Sequence, residues 1–408
     1  MKKFLSIFLT LMLTFTMSAC NNNDENESNN LSEAEANIIT VWHDKEDAII
    51  EVLDKHLKSE IPEIDVNFVR KDGLTEALKL VGNDPKAAPD MYIFAHDKIG
   101  VYAEMGILEP IKTFIEPSNF DKYLPLTIES ASYKGEVYQL PLYFETLLFM
   151  YNNLYMPDAE VPETTEELYT YMQENTKGGH YGFVEQHSTA YYSAGWIHAF
   201  GGEIISAEGE AKLNTDEVIS ALKYHKKFTE YMPVESEYAT VNTLFQEGKA
   251  HSTIGGPWLV AAAKDKGLDI SLAPMPIVDV TNKPLSPYSG TQGIHVLKVA
   301  AEAKKEAISK VLKALRAEQL QIDLAEASGA APALKAAYED ETIRADEMVM
   351  AMYKTAENAV PMPNIPEMDV MWSVTDKLLV DINMSGEDVK ASAEAAQAQA
   401  ENLIEQMH

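Results

Sequence analysis

Residues 38–106 read IITVWHDKEDAIIEVLDKHLKSEIPEIDVNFVRKDGLTEALKLVGNDPKAAPDMYIFAHDKIGVYAEMG, and their rhythm decides the fold class. Ile38 to Trp42 is a β-branched run of the kind that forms strands. Glu46 to Ser59 then places Ile49, Val52, Leu53 and Leu57 at helical spacing. Asp65 to Arg70 reads as a second strand and Thr75 to Val81 as a short helix. Met91 to Phe94 is a third strand, closed by Ala95-His96-Asp97. Ile99 to Met105 is helical and stops at Gly106. Strands alternating with helices predict an α/β fold, a mainly parallel sheet with helices on both faces. Ligands bind such sheets at the carboxyl ends of the strands. The residues that follow the strands are therefore the candidates for a site: His43-Asp44-Lys45 and Ala95-His96-Asp97-Lys98.

The rest of the chain repeats the theme. Glu136 to Pro141, Leu147 to Tyr151 and His251 to Gly255 look like strands. Thr165 to Glu174, Thr215 to Tyr231, Ala303 to Leu320, Thr342 to Asn358 and Trp372 to Ile382 look like helices. Glu387 to Gln406 is an Ala-rich terminal helix with Glu387 and Asp388 at its start, where negative charge suits the helix dipole. No repeat at solenoid spacing is present.

Ahead of the globular part, Lys2 and Lys3 precede an uncharged run from Phe4 to Met17, and small residues lead to Cys20, the only cysteine of the chain. A charged start, a short apolar stretch and a small-residue cut site mark an exported protein. Met17-Ser18-Ala19-Cys20 resembles the lipobox of bacterial lipoproteins, in which the cysteine is lipidated and begins the mature chain. Residues 1–19 are then a signal peptide and 20–36 a lipid-anchored, disordered tether, polar from Asn21 to Glu35 apart from Leu31. Its reach is on the order of 20 Å. With 33 basic and 64 acidic residues the formal charge is −31. Such a chain repels nucleic acid and anionic lipid heads, which excludes DNA binding and electrostatic membrane docking. With Cys20 lipidated no disulfide can form, so the core alone must hold the fold.

The sequence has no phosphate-binding G-x-x-x-x-G-K-[ST] loop, no strand-anchored G-x-G-x-x-G, no H-E-x-x-H and no G-x-S-x-G elbow. His43-Asp44 and His96-Asp97 are imaginable metal ligands. With no cysteine to spare and no i, i+4 histidine pair they are better read as loop residues, and neither metal nor cofactor is expected. What does stand out is aromatic residues beside carboxylates: Trp42 with Asp44, Phe94 with Asp97, Tyr143 and Phe144 with Glu145, then Tyr191, Tyr192, Trp258 and Trp372. A sugar has apolar C–H faces that pack on rings and an equator of hydroxyls, and one carboxylate accepts two hydroxyl donors. Taken one at a time, these aromatics are better read as core or boundary residues, and periodicity does not separate the two. Paired carboxylates beside aromatics also describe a glycoside hydrolase.

A resemblance favours binding. Pro89 to Lys98, continuing through Tyr102 to Leu108, resembles the ligand-contacting stretch of maltose/maltodextrin-binding proteins, the extracellular solute-binding subunits of carbohydrate ABC importers. Gly135 to Pro141, Glu145 to Asn152, Phe245 to Lys249, Ile254-Gly255-Gly256-Pro257-Trp258 and Met362 to Met368 with Trp372 agree with it. The resemblance runs from about Ile38 to the C-terminus. It implies a two-lobed periplasmic-binding-protein (type II) fold. One lobe takes residues 37–143 and 292–342, the other 147–288 and 348–408. Three hinge crossings lie near Phe144–Thr146, Ser289–Thr291 and Thr342–Glu347. It implies that Asp44, Lys45, Ala95 (through its backbone), Asp97, Lys98 and Glu145 hydrogen-bond sugar hydroxyls. Tyr191, Trp258 and Trp372 would stack on glucose faces, with Phe94, Tyr192 and Met362 beside them. Phe94 stands where well-known members have Trp, Lys98 and Asp376 where they have Arg, and Thr189-Ala190 where they have Glu-Pro. The resemblance further implies a monomer with no catalysis, tethered through Cys20 to the outer face of a cell membrane, Gram-positive in type. It would hand a maltodextrin to membrane permease subunits. The alternatives are another oligosaccharide, such as cyclodextrin, or an adhesive surface lipoprotein.

Overall fold

The computed structural model describes residues 32–157 and 161–407. The leader, Cys20 and the tether as far as Leu31 lie outside the described residues. The expected tether extends to residue 36, but Ser32 caps a one-turn helix, Glu33–Ala36. Its Oγ accepts the Glu35 N–H at 3.3 Å, and the Glu35 carboxylate accepts the Ser32 N–H at 3.0 Å. This reciprocal box satisfies two amides that a helix end otherwise leaves unpaired.

The first three strands fall where expected. Ile38–His43 lies between Asp65–Arg70 and Met91–Ala95, parallel to both. Side chains alternate across this layer. Ile39, Val41, Met91 and Ile93 enter one core with Leu53 and Leu57 of helix Asp47–Glu60 and with Ile308, Val311, Leu312, Leu320 and Leu324. Trp42 and Tyr92 enter the other, with Leu74 and Leu78 of helix Leu74–Val81 and with Ile99 and Tyr102. Each fully buried Leu or Ile contributes about 1.5–3 kcal/mol relative to exposure.

Beyond Met91–Ala95 the sheet continues antiparallel, through Tyr288–Leu297 and then Gln139–Thr146, to a short edge strand, Ala331–Pro332. A second sheet, with Leu148–Asn152 flanked by Ile270–Ala273 and Ser252–Gly255, is antiparallel throughout. The expectation of a mainly parallel sheet in each lobe therefore holds for the three N-terminal strands, with one further parallel pairing, of Val360–Pro361 with Tyr288–Leu297. The reason is the route of the chain. Gln139–Thr146 leads out of the first lobe, Leu148–Asn152 carries it into the second, and Tyr288–Leu297 brings it back in the opposite direction. These strands hand residues from one core to the other. Leu140 and Leu142 belong to the first lobe, whereas Phe144 packs with Leu148 and Met150. Ile294 and Val296 belong to the first, whereas Tyr288 packs with Ile197, Met371 and Val374.

Two expected helices are each divided in two. Ala303–Leu320 becomes Lys305–Ala314 and Glu318–Ser328, with Ala317 extended between them, so that both pieces reach the first core. Thr342–Asn358 becomes Glu341–Ala345 and Glu347–Thr355. The Asp346 carboxylate accepts the N–H groups of Met348 and Val349 at 2.9 and 3.0 Å, capping the second piece. Helices Ala190–Ala199, Tyr238–Gln246 and Pro257–Asp265 and the strand Tyr288–Leu297 had no counterpart in the sequence reading.

Candidate functional site

The ends of the parallel strands, the outgoing crossing strand and the helices of the second lobe meet in one region. Asp44 and Lys45 follow strand Ile38–His43 directly, and the Lys45 ammonium lies 2.8 Å from Asp44 Oδ1. It also sits 5.5 Å from the centre of the Phe94 ring, within cation–π range. Glu145, half-buried on Gln139–Thr146, is paired in register with Gly290 of the return strand and hydrogen-bonded to the Gln292 side chain. Burial pushes the Glu145 carboxyl above the ordinary glutamate value, although the Lys45 charge and the Gln292 bond pull the other way. Asp44, Lys45, Phe94 and Glu145 are thus one group, and Gln292, which the sequence reading did not single out, joins it.

Ala95 is the last residue of its strand, opposite Gln292. Asp97 and Lys98 follow on a 3-10 turn, His96–Lys98, with Lys98 Nζ 3.4 Å from Asp97 Oδ2. His96 is not a ligand-facing residue. It is wholly buried, accepts the Thr291 N–H on Nδ1 at 3.0 Å and donates from Nε2 to the Met362 carbonyl at 2.9 Å. Those two bonds fix the tautomer, and burial lowers the pKa of the ring. His43 is also buried and its pKa lowered, first by burial and then by the Arg70 charge. Among the described residues no group of three His, Cys, Asp or Glu is disposed to hold a metal ion.

The second lobe contributes the rings. Tyr191 and Tyr192 open helix Ala190–Ala199 and meet edge to face at 5.5 Å. Thr189 makes no side-chain cap for this helix; instead Asp376 accepts the Ala190 N–H at 2.6 Å. Asp376, which the resemblance sets against an arginine, therefore holds the Tyr191 helix here. Trp258 sits in the first turn of Pro257–Asp265 and keeps 38% of its surface exposed, whereas Trp42 keeps 8% and Trp196 1%. Its ring lies over Gly256, where a Cβ would come within 2.2 Å of it. That contact accounts for the Gly-Pro-Trp sequence. Trp258, a donor only, hydrogen-bonds the Tyr192 hydroxyl, which Gln186 also bonds. Burial pushes the pKa of that hydroxyl up to about 12.

Tyr191 stacks on Tyr288 at 6.5 Å, and Tyr288 meets Trp372 edge-on at 5.6 Å. Tyr288 is a second residue missed at the sequence level. The Met362 methyl lies 3.2 Å from where a Cβ of Gly290 would be, so it covers the return strand. Burial raises the Tyr191 pKa far above the tyrosine range, and the charges of Glu145 and Asp97 act in the same direction. A ring of the second lobe thus lies within electrostatic reach of two carboxylates of the first. The arrangement offers hydroxyl acceptors, two ammonium donors and aromatic faces, joined through the crossing strands that carry Glu145 and Tyr288.

The chain matches the family model described as bacterial extracellular solute-binding protein over residues 54–351. It is 30% identical to the maltotriose-binding protein of Pyrococcus abyssi, over 84% of this chain and 78% of that one. It is 25% identical to the galactooligosaccharide-binding protein of Bacillus subtilis, over 100% of this chain and 99% of that one. Among solved structures, the maltose-binding periplasmic protein of Listeria monocytogenes in complex with maltose aligns with a TM-score of 0.78 at 26% identity, covering 91% of this chain and 98% of that one. The two-lobed α/β architecture, the crossing strands and the match over residues 54–351 together establish that this chain belongs to the bacterial extracellular solute-binding protein family.

Proposed function

We propose that the protein binds an α-1,4-linked glucose oligosaccharide between its lobes and delivers it to the permease of an ABC importer, without cleaving it. The observation that carries this is the convergence of both lobes on one crossing strand: Tyr191 of the second lobe stacks on Tyr288, and further along the same strand Gly290 pairs with Glu145 and Gln292 with Ala95, next to the Asp97 turn. A sugar between the lobes can stack on a ring and donate hydroxyls to carboxylates from both sides at once. A ligand drives closure only by binding the closed form better than the open form, and contacts from both lobes supply that difference. In this reading Asp44, Lys45, Ala95, Asp97, Lys98 and Glu145 take hydroxyls. Tyr191, Trp258 and Trp372 take sugar faces, and Phe94, Tyr192 and Met362 border them. The lobes divide near Phe144–Thr146, Ser289–Thr291 and Thr342–Glu347.

The likeness to the maltotriose-binding protein favours a maltodextrin. A galacto-oligosaccharide is the second reading, favoured by the likeness that extends over the whole chain. Calorimetric titration with maltose, maltotriose, maltotetraose, a cyclodextrin and a galacto-oligosaccharide decides between them. Heat with the α-glucans supports the first reading, and heat with the galacto-oligosaccharide alone replaces it. Incubation with maltotetraose should give no shorter sugar; release of maltose would make the protein a hydrolase.

Lipidation of Cys20 would hold the protein on the outer face of the membrane, beside its permease. One acyl chain anchors only marginally, so stable attachment takes two. Cys20→Ala should release the protein into the medium with its sugar affinity unchanged.

A further inference from the structure

The helix Met368–Asn383 belongs to the second lobe: Met368, Met371, Val374 and Leu378 pack with Ile197, Val218 and Leu222. Its first turn carries Asp369, whose Oδ1 forms a short ion pair with Lys98 of the first lobe. Asp369 Oδ2 lies 3.7 Å from Lys79 Nζ on helix Leu74–Val81, also of the first lobe, and Lys79 pairs in turn with Glu76 at 3.3 Å. With Lys98 bonded to Asp97 at 3.4 Å, a line of charges crosses the cleft: Glu76, Lys79, Asp369, Lys98, Asp97. Lys98 and Asp369 keep only 18% and 30% of their side-chain surface, so solvent screens this pair less than it would a fully exposed one. Burial opposes the Lys98 charge, but Asp97 and Asp369 together hold its pKa above the ordinary lysine value.

We propose that Asp369 is a positioning residue, which anchors the Lys98 ammonium at the sugar cleft and ties the second lobe to the first. The inference rests on the sugar-binding reading and deepens it. An ammonium on a four-carbon stem has no preferred direction, whereas a guanidinium presents a fixed fork of donors. A lysine at this position therefore needs an external partner to hold it, and the partner comes from the opposite lobe. Opening the lobes would separate the pair, so the bond weights the arrangement in which the cleft is formed. Asp369 needs no contact with sugar to affect affinity.

The test uses the full-length protein and Asp369→Asn, which keeps shape and removes charge. At low salt the variant should bind maltotriose about two- to fivefold more weakly, the range of a partly exposed ion pair. Wild-type affinity should fall by a similar factor between low salt and 1 M NaCl, where the screening length shrinks to about 3 Å, while the variant changes little. Asp369→Glu should restore both the affinity and the salt dependence. Wild-type affinity in Asp369→Asn overturns the proposal. So does a loss that salt does not erase and Asp369→Glu does not rescue, because that pattern belongs to a structural role. If the wild type binds no α-glucan, the sugar reading has failed and small-angle scattering without sugar decides this one. A larger radius of gyration in Asp369→Asn supports the tie between the lobes, and an unchanged radius overturns it.

Discussion

Glu145 sets function against stability at a single carboxyl. Burial raises its pKa in the folded protein. A carboxyl with a raised folded pKa stabilises the fold in its protonated form. That contribution is complete below the unfolded glutamate value and lost as pH rises through the folded value. Where the carboxyl is ionised its burial therefore costs stability, and the proposed site gives that charge a use, because an ionised carboxylate accepts two sugar hydroxyls. Glu145→Gln should raise the thermal midpoint at pH 7 and weaken sugar binding. The gain in midpoint should shrink as pH falls through the raised folded value and be gone below the ordinary glutamate value. A midpoint lowered at pH 7 would contradict this account. Trp258 is the opposite case, because its exposed ring adds little to the core. Trp258→Ala should reduce maltodextrin affinity at least tenfold, about 1.4 kcal/mol, with the thermal midpoint almost unmoved. Affinity that survives the substitution would remove Trp258 from the site.

At the scale of elements, the return strand Tyr288–Leu297 holds the sheet together and crosses between the lobes. It pairs with Gln139–Thr146 through a register shift between Gln292 and Gly293, and there a Cβ on Gly293 would come within 2.4 Å of the Leu140 carbonyl oxygen. Backbone cannot yield as a flexible side chain can, so Gly293→Ala should cost about 1–3 kcal/mol. The loss should appear as a lower denaturant midpoint at constant m-value. This strand also marks the limit of what the sequence makes legible. Ile38–His43, Asp65–Arg70 and Met91–Ala95 declare themselves through β-branched and alternating residues. Tyr288–Leu297 carries Gly290, Thr291, Gln292 and Gly293 in its middle, and its pairing comes from partners about 150 residues away in sequence. Helix Ala190–Ala199 is equally silent. Ala190, Ser193, Ala194, Gly195, Trp196, Ile197 and Ala199 are all buried, so no polar face gives it a period. The candidate site divides in the same way. Asp44, Lys45, Asp97 and Lys98 follow from their place after strands. The aromatic residues of the second lobe gained their roles from the family resemblance. Gln292, Tyr288 and Asp369 matter through long-range contacts that no local pattern encodes.

For the whole molecule, the decisive feature is that the two lobes, besides the cores of their own, share one. One apolar cluster joins Leu124, Ile322, Ala325 and Ala331, from elements of the first lobe, to Leu148, Met150, Val184, Phe245 and Leu259 of the second. The segment that begins with Val360–Pro361 reinforces the junction. It pairs alongside Tyr288 and Ser289, receives the His96 bond at Met362, and accepts the Gly100 N–H on the Asn364 carbonyl at 2.8 Å. The Asn364 amide then donates to the carbonyls of Ser130 and Ser132, each at 2.8 Å. Losing either lobe would strip this shared cluster and leave those carbonyls unpaired. Unfolding should therefore be a single calorimetric transition, even though the molecule has two lobes. Sugar binds the assembled cleft and not the unfolded chain, so it should move that transition as a whole. At a hundredfold excess over Kd the stabilisation is about 2.7 kcal/mol, worth about 3 °C for a chain of this size. Trp258→Ala should keep the single transition and lose the shift at the same sugar concentration. Two transitions, with sugar moving only one, would mean that the lobes fold independently and that the shared cluster contributes little to their coupling.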